Sequence, residues 1–181
     1  MKTDSPKDSP DQAKHMSLYL QALRGKIGHE LLLMPSVAGV AIDRARRILL
    51  VRYAESRDVW GLPGGSVDPH EPPSDAVVRE VWEETGLFVE PIRVLGVYGG
   101  PEHHVTYRNG DEVSYTSTAF ECQVIGGALK PDGVEIAQVA YFSELELSGI
   151  RLSPIAEVVL PDAFAGTTQA SFQPPTWTPP E

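Results

Sequence analysis

Apolar residues along the chain recur at two different spacings, one typical of α-helices and one typical of β-strands. The segment 16–28 places leucine and isoleucine at near-helical intervals, which predicts a short N-terminal helix. The segments 36–43 and 46–54 are rich in β-branched and aliphatic residues, which favour strands. Only the short polar stretch from Asp43 to Arg46 separates them, so we expect the two segments to form a β-hairpin.

A loop rich in glycine and proline interrupts the apolar pattern after the second predicted strand. It covers residues 60–73 and leads into the segment 74–85, whose apolar residues follow a helical period. Pro73 suits the first turn of that helix, and Gly86 suits its C-terminal cap. The order in this part of the chain is therefore strand, loop and helix.

The second half of the chain contains more predicted strands than helices. Further strands are predicted at 88–100, 113–125 and 135–142. The dipeptide Asn109–Gly110 is a strong hairpin-turn signal ahead of the second of these strands. The segment 153–165 has a helical pattern, which we expect Pro161 to interrupt.

The length of the chain, 181 residues, is typical of one globular domain, and no internal repeat is present. We expect residues 1–15, which are polar and lack periodicity, to form a loose extension. Residues 16–165 are expected to form the domain. Residues 166–181 are rich in proline and are expected to form an extended or loose tail.

Charge and composition narrow the function classes. The chain has 25 acidic and 15 basic side chains, a net charge of −10 and a pI near 4.9, which argues against a nucleic-acid polymer as the main partner. It has neither an apolar run that could span a membrane nor a signal-peptide pattern, so we expect a cytoplasmic protein. Its one cysteine, Cys122, can form neither an internal disulfide nor a zinc cluster.

Three glutamates lie on one face of the predicted helix at 74–85. At about 100° per residue, Glu80, Glu83 and Glu84 fall within an arc of roughly 100°. Carboxylates crowded in this way repel one another and destabilise an isolated helix. A hard divalent cation removes that conflict, and carboxylate oxygens suit Mg²⁺ or Mn²⁺. The helix is therefore expected to bind metal.

The glutamates belong to a longer pattern of fixed spacing. In chain order, its defined positions are Gly65, Glu71, Arg79, Glu80, Val81, Glu83, Glu84, Gly86 and Leu87. This pattern resembles the Nudix box at every defined position, and the preceding residues 60–64 are similar to the usual lead-in. The resemblance implies an α/β fold, the Nudix-type α/β/α sandwich with a mixed β-sheet, over residues 35–160.

The resemblance also implies an activity, which is hydrolysis of a nucleoside diphosphate linked to another moiety, by attack of water on phosphorus. By the same resemblance, Glu80, Glu83 and Glu84 bind the divalent metal, and the backbone carbonyl of Gly64 is a further ligand. Metal-assisted hydrolysis needs no nucleophilic serine, cysteine or histidine, and the sequence contains no convincing triad. The expected partner is a small nucleotide substrate.

Other positions of the box are expected to have structural roles. Arg79 and Glu71 are expected to pair, because a bidentate guanidinium can fix the loop against the helix. Gly65 and Gly86 are expected to supply tight turns in which a Cβ would obstruct the loop.

The base that activates water is expected to be Glu80 or a glutamate farther along the chain. Glu135, in the loop before the last predicted strand, is the first candidate downstream of the box. Glu121 and Asp132 are the alternatives, and an exposed loop glutamate is often just solvated.

Three residues outside the box are candidates for substrate contact: Arg52, Trp60 and Tyr107. Packing beneath the loop is the alternative for Trp60, and a surface position at a strand end is the alternative for Arg52.

The sequence leaves alternatives open for the substrate class, the function and the oligomeric state. ADP-ribose pyrophosphatases recurrently have a proline about 15 residues beyond the box, and Pro101 lies 14 positions after Leu87. ADP-ribose or a similar derivative is the first expectation, and a nucleoside triphosphate, including an oxidised one, is the alternative substrate. A non-catalytic nucleotide-binding regulator is the alternative function, although the intact box favours hydrolysis. The helix at 17–27 could form a homodimer contact or pack on the core.

Overall fold

The computed structural model describes residues 17–54, 58–107 and 109–180. The predicted loose extension at residues 1–15 lies outside these ranges. Within them the chain forms three α-helices: α1 (Leu18–Ile27), α2 (Pro73–Thr85) and α3 (Pro154–Ala165). The strands of the same ranges are β1 (Leu32–Ala41), β2 (Ile48–Tyr53), β3 (Val59–Gly61), β4 (Leu87–Tyr98), β5 (His104–Thr106), β6 (Glu112–Gly127), β7 (Ile136–Phe142), β8 (Arg151–Leu152) and β9 (Ser171–Phe172).

The strands form two mixed sheets. In the first sheet, β6 is parallel to β1 and antiparallel to β4 and β5, and β9 is parallel to β4. In the second sheet, β2 is antiparallel to β7 and β3, and β3 is parallel to β8. The predicted α/β sandwich is confirmed, with two mixed sheets where one was expected.

Helices α2 and α3 cover opposite faces of the first sheet. Val37 of β1 packs in a cluster with Val77 and Val81 of α2. The next residue, Ala38, belongs to a second cluster that includes Val159 of α3. Because successive side chains of a strand point to opposite faces, the two helices sandwich the sheet between them.

The predicted hairpin between the first two strands is wrong in one respect. The turn exists, since the Asp43 N–H donates to the Arg47 carbonyl at 2.9 Å and Ile42 bridges Ile48. Beyond that bridge the strands separate, and β1 joins the first sheet while β2 joins the second. Both strands are buried along most of their length, so their apolar pattern predicts strands without specifying which strands pair.

Helix α1 forms where it was predicted, but none of its residues is buried. The alternative that this helix packs on the core is therefore wrong; Leu18, for example, is 84% exposed. The Arg24 guanidinium holds the helix in place by donating to the carbonyls of Gly28, Glu30 and Glu112, at distances of 3.2, 2.7 and 2.9 Å. A homodimer formed through α1 stays a prediction.

The end of the described chain differs from the expectation in two places. Helix α3 continues through Pro161 without interruption, because a proline within a helix removes one donor and does not always end the helix. In the tail after Gly166, the segment β9 pairs with Gly96 and Val97 of β4. No helix in the described ranges is long and apolar enough to cross a membrane.

Candidate active site

The ends of α2 fix the positions of the box glutamates. The helix begins at Pro73, and Gly86 ends it in the left-handed conformation with φ of 69°. The Gly86 N–H donates to the Trp82 carbonyl at 2.9 Å, and a Cβ at Gly86 would meet the Ala128 carbonyl oxygen at 2.6 Å. The predicted tight turn at Gly86 is confirmed.

Glu84 is the most buried carboxylate of the site. Only 4% of the residue is exposed, and its Oε2 accepts a hydrogen bond from the Gly64 N–H at 2.9 Å. Burial raises the pKa of Glu84 well above its usual value, opposed by the Gly64 hydrogen bond, and the nearby Glu80, Glu135 and Asp132 carboxylates raise it further. The site therefore disfavours a charged Glu84 in the absence of a cation.

Glu80 lies against the other glycine of the loop. A Cβ at Gly65 would be 2.6 Å from the Glu80 carboxyl carbon, so only glycine leaves room for this carboxylate. Gly65 thus provides space, and the strained backbone belongs to Gly64, whose φ is 154°. Burial raises the pKa of Glu80, opposed by the charge and hydrogen bond of Arg79. The role predicted for Gly65 needs this correction, because a close approach, and not a turn, requires the glycine.

Arg79 connects the loop to the helix. Its Nε and Nη2 donate to both oxygens of Glu71, at 2.8 and 2.9 Å, which confirms the predicted pair. Nη2 also donates to the Ser66 carbonyl at 3.1 Å. Nη1 donates to Glu80 at 2.7 Å and to Glu83 at 3.2 Å. The hydrogen bonds from Arg79 lower the pKa of Glu71.

The three box glutamates differ in exposure, which bears on how they could hold a cation. The Glu83 side chain is 58% exposed, whereas Glu80 is largely and Glu84 almost fully buried. Among the described residues, no group of three acidic, histidine or cysteine side chains is arranged as a metal cage. The Arg79 guanidinium donates to the carboxylates of both Glu80 and Glu83.

The donor set nevertheless fits a hard divalent ion. Glu80 and Glu84 are held at the Gly64–Gly65 loop, and Glu83 lies one helical turn from Arg79 on the same face. All the side-chain donors are carboxylate oxygens, which suit Mg²⁺ or Mn²⁺ better than softer metals.

The three downstream candidates for the base have different surroundings. Glu135 is half-buried and is close enough to Glu80 and Glu84 to raise the pKa of both. Asp132 accepts hydrogen bonds from the backbone N–H groups of its own loop. Glu121 forms an ion pair with Arg93 at 2.7 Å. The structure therefore brings Glu135 to the site and gives the other two structural partners.

The predicted substrate residues are spread around the site. The Trp60 ring packs edge-on against Phe142, with centroids 4.7 Å apart, as its packing alternative expects. Arg52 donates to the Gln138 side chain at 3.1 Å. The Tyr107 hydroxyl is 2.6 Å from the Tyr115 hydroxyl. Contact of these residues with substrate stays a prediction.

Sequence reasoning missed Tyr53, at the end of β2. Burial raises the pKa of this phenol, and the nearby Glu84, Tyr107, Glu135 and Glu80 raise it further, so the phenol lies beside the carboxylates. Tyr53 directly follows an apolar run, and that position is equally typical of a packing residue. The sequence therefore carries no signal that singles it out.

Comparison with known proteins identifies the family. The sequence profile of the NUDIX domain matches residues 32–163, which is more than half of the chain. The chain belongs to the Nudix family. The expected enzyme class is thereby confirmed as a Nudix hydrolase, and Nudix hydrolases generally use divalent metal ions.

Several curated proteins are similar to this Nudix hydrolase. It is 33% identical to a MutT-like protein of Streptomyces ambofaciens over 131 residues, which is 72% of this chain and 77% of that protein. It is 38% identical to an ADP-ribose pyrophosphatase of Methanocaldococcus jannaschii, over 56% of this chain and 59% of that protein. It is 34% identical to a Bacillus subtilis protein provisionally named an 8-oxo-dGTP diphosphatase, over 58% and 62%. The last two matches span less than two thirds of those proteins.

Solved structures have the same fold. A UDP-X diphosphatase superposes with a TM-score of 0.61 at 22% identity, over 81% of this chain and 68% of that chain. An ADP-ribose pyrophosphatase from Streptococcus suis 89-1591 superposes with a TM-score of 0.59 at 25% identity, over 76% of this chain and 96% of that chain.

Proposed function

We propose that this Nudix hydrolase cleaves the diphosphate linkage of a nucleoside diphosphate derivative, with ADP-ribose as the first candidate. Water attacks one phosphorus atom, and the bond from that phosphorus to the bridging oxygen breaks. ADP-ribose and one water then give AMP and ribose 5-phosphate. The oxygen of water ends in one of the two product phosphates.

One observation carries the proposal, namely the convergence of carboxylates at a pair of glycines. Glu84 accepts the Gly64 N–H, Glu80 fills the space that a side chain at Gly65 would take, and Glu135 lies close to both. Carboxylates this close in a partly desolvated site disfavour one another's charge. A divalent cation compensates that charge and also lets the anionic diphosphate of the substrate approach the carboxylates.

Glu80, Glu83 and Glu84 would hold the metal, with the Gly64 carbonyl as a further ligand. When bound, Mg²⁺ or Mn²⁺ supplies charge neutralisation at the phosphoryl oxygens and a lower pKa for water. Arg79 keeps Glu80 and Glu83 on the correct face through its hydrogen bonds to both. Its ion pair with Glu71 fixes the guanidinium in turn.

Glu135 is the first candidate for accepting the proton of the attacking water. The Glu80 carboxylate is already engaged by the Arg79 Nη1 hydrogen bond at 2.7 Å, which leaves it less free to accept a proton from water. Glu135 reaches the site from the second sheet, where its carbonyl accepts the Ala54 N–H at 2.7 Å. The base and the metal ligands thus come from different elements.

Two substrate classes can be separated by experiment. The ADP-ribose pyrophosphatase relatives favour ADP-ribose. The Bacillus subtilis relative favours an oxidised nucleoside triphosphate as the second candidate. Arg52 and Tyr107 remain the candidates for binding the part of the substrate beyond the phosphates.

The test is a substrate panel with product identification. ADP-ribose, 8-oxo-dGTP, a dinucleoside polyphosphate and AMP are each incubated at millimolar Mg²⁺, and with EDTA in place of the metal. We expect ADP-ribose to be hydrolysed fastest, activity to vanish with EDTA and to return with Mg²⁺ or Mn²⁺. Metal-independent turnover, or a preference for AMP over every diphosphate, would contradict the proposal. Nucleotide binding without any turnover would identify a regulator.

A further inference from the structure

Tyr53 lies at the junction of β2, β3 and α3, beside the carboxylates described above. It is half-buried, and it pairs with Ile136 of β7, the residue that follows Glu135. Glu84, Glu135 and Glu80 all interact electrostatically with its phenol. The side chain therefore lies near the proposed catalytic groups.

A glycine makes room for this phenol. A Cβ at Gly61 would be 2.8 Å from the Tyr53 hydroxyl and 2.9 Å from a ring carbon. Distances below 3.0 Å are essentially absent between real Cβ atoms and their neighbours. Any residue larger than glycine at position 61 would displace the phenol from its place.

Two hydroxyl groups, those of Tyr53 and Ser153, lie close to the Cβ position of Gly61. None of the hydrogen bonds found in the described part of the chain involves the Tyr53 hydroxyl, although carboxylates surround it. The Ser153 Oγ, 3.1 Å from the same Cβ position, is buried and also has no described partner, in a residue only 9% exposed. Buried polar atoms normally have a hydrogen-bond partner, so the buried Ser153 Oγ indicates that a polar group is missing on the side of Gly61 that faces the Tyr53 hydroxyl.

A hydrogen-bonded pair of tyrosines lies near Tyr53. Tyr107, directly after β5, and Tyr115 of β6 share a hydrogen bond of 2.6 Å, and both interact electrostatically with Tyr53. Asp111, 6% exposed between those strands, pairs with Arg24 of α1 at 3.5 Å. Through this ion pair, α1 contacts the segment between β5 and β6, next to the tyrosine pair.

We propose that Tyr53 is a substrate-binding residue whose phenol donates a hydrogen bond to an anionic oxygen of the bound diphosphate. Resting on the proposed function, this adds a residue outside the Nudix box to the site. Neighbouring carboxylates disfavour the phenolate form of Tyr53, so the phenol keeps its hydrogen. That hydrogen can be donated to a phosphoryl oxygen of the substrate that binds with the metal. Hydrogen bonds to charged acceptors are the stronger ones.

The test removes only the hydroxyl. Tyr53→Phe keeps the ring against Gly61, and Tyr141→Phe, on the α2 side of the second sheet, is the matched control. On the diphosphate of the panel that wild type turns over fastest, we expect Tyr53→Phe to lower kcat/KM about 10- to 100-fold. Calorimetry with Mg²⁺ and α,β-methylene-ADP, which is not hydrolysed, should show at least 10-fold weaker binding. The melting temperature should stay the same, because no protein partner is lost.

A second variant tests the position of the phenol. Gly61→Ala should lower kcat/KM by a similar factor, and the double variant Gly61→Ala/Tyr53→Phe should be little worse than either single variant. Independent losses that multiply in the double variant would show that Gly61 acts through something other than the Tyr53 hydroxyl.

The same assay, with Glu84→Gln included, distinguishes a wrong assignment of Tyr53 from a failure of the proposed function. If Glu84→Gln loses activity while Tyr53→Phe behaves as Tyr141→Phe in both turnover and binding, the assignment of Tyr53 is overturned and the proposed function stands. If Glu84→Gln keeps its turnover, the metal role of Glu84 is wrong, and if wild type hydrolyses no diphosphate of the panel, the proposed function fails. Binding of α,β-methylene-ADP then still decides whether Tyr53 contacts a diphosphate.

Discussion

Among single residues, Glu84 combines deep burial with one described hydrogen bond, from the Gly64 N–H. We expect Glu84→Gln to lower kcat at least 100-fold, because an amide cannot supply the charge that holds a divalent cation. Glu83→Gln should act similarly. Neither change should unfold the protein, since the Glu83 side chain is exposed and, at the buried position 84, a neutral amide is easier to bury than a carboxylate. Steady-state kinetics at saturating Mg²⁺ measures the loss.

The control for these variants is Asp75→Asn, an exposed acid in the first turn of the same helix. It should keep its turnover. A Glu83→Gln or Glu84→Gln protein with more than half of wild-type turnover would rule out the metal role of that residue.

Gly65 tests the same site through the backbone. Gly65→Ala places a methyl group 2.6 Å from the Glu80 carboxyl carbon, so the carboxylate must move. We expect kcat/KM to fall at least 10-fold, since small displacements of catalytic groups have effects of about 100-fold. Circular dichroism should show an unchanged fold.

Gly25→Ala is the matched control, because a Cβ there has nothing within 4 Å and lies in the helix α1. It should leave activity unchanged and stabilise the protein by up to about 1 kcal/mol. Equal activities of Gly65→Ala and Gly25→Ala would show that Glu80 does not need its present position.

Among the elements, the junction between the loop 62–72 and α2 depends on Arg79. Arg79→Ala removes donors from Glu71, Glu80 and the Ser66 carbonyl. We expect the free energy of unfolding to fall by about 1.5–3 kcal/mol, the range for hydrogen bonds to charged groups, and activity to fall as well. Urea denaturation followed by circular dichroism measures the change.

Arg47→Ala provides the comparison, since Arg47 pairs with Asp43 at 2.7 Å on the surface with 47% of its side chain exposed. Exposed pairs of this kind contribute about 0.2–1 kcal/mol. If Arg79→Ala destabilised the protein no more than Arg47→Ala and were as active as Arg47→Ala, the structural role of Arg79 would be wrong.

The same junction should depend on pH. The hydrogen bonds from Arg79 lower the pKa of Glu71 in the folded state, so the pair stabilises the protein fully above the unfolded pKa, about 4.3, and loses that contribution as the pH falls through the folded pKa. We expect the stability difference between wild type and Glu71→Gln to be constant from about pH 7 to 5.5 and to shrink below about pH 4.5. Urea titrations at several pH values test this, and a difference independent of pH would contradict it.

On the scale of the whole molecule, the features predicted from sequence are those in which neighbours in the chain are neighbours in space. Glu80, Glu83 and Glu84 share one helix, so their spacing alone places them on one face, and the Arg79–Glu71 pair spans eight residues. The partners of β1 and β2 could not be predicted, because either strand fits either sheet by its apolar pattern.

Tyr53 was missed for the same physical reason. Its surroundings come from Gly61, Ser153 and Glu135, which are distant in sequence and meet only in the folded chain. Sequence alone could not separate Glu135 from Glu121 and Asp132, because the Arg93 pair of Glu121 and the loop hydrogen bonds of Asp132 form only in the folded chain.

The parallel pairing of β1 with β6 has a consequence for how the protein is made. Ser36 meets Ser117, 81 residues farther along the chain, and the entire Nudix box is synthesised between them. While the ribosome is still making β4, the apolar strand β1 has no partner in its sheet, and the nascent chain cannot close the core around α2. Folding must therefore wait for β6 to emerge, and pairings between such distant residues make this step slow compared with helix formation.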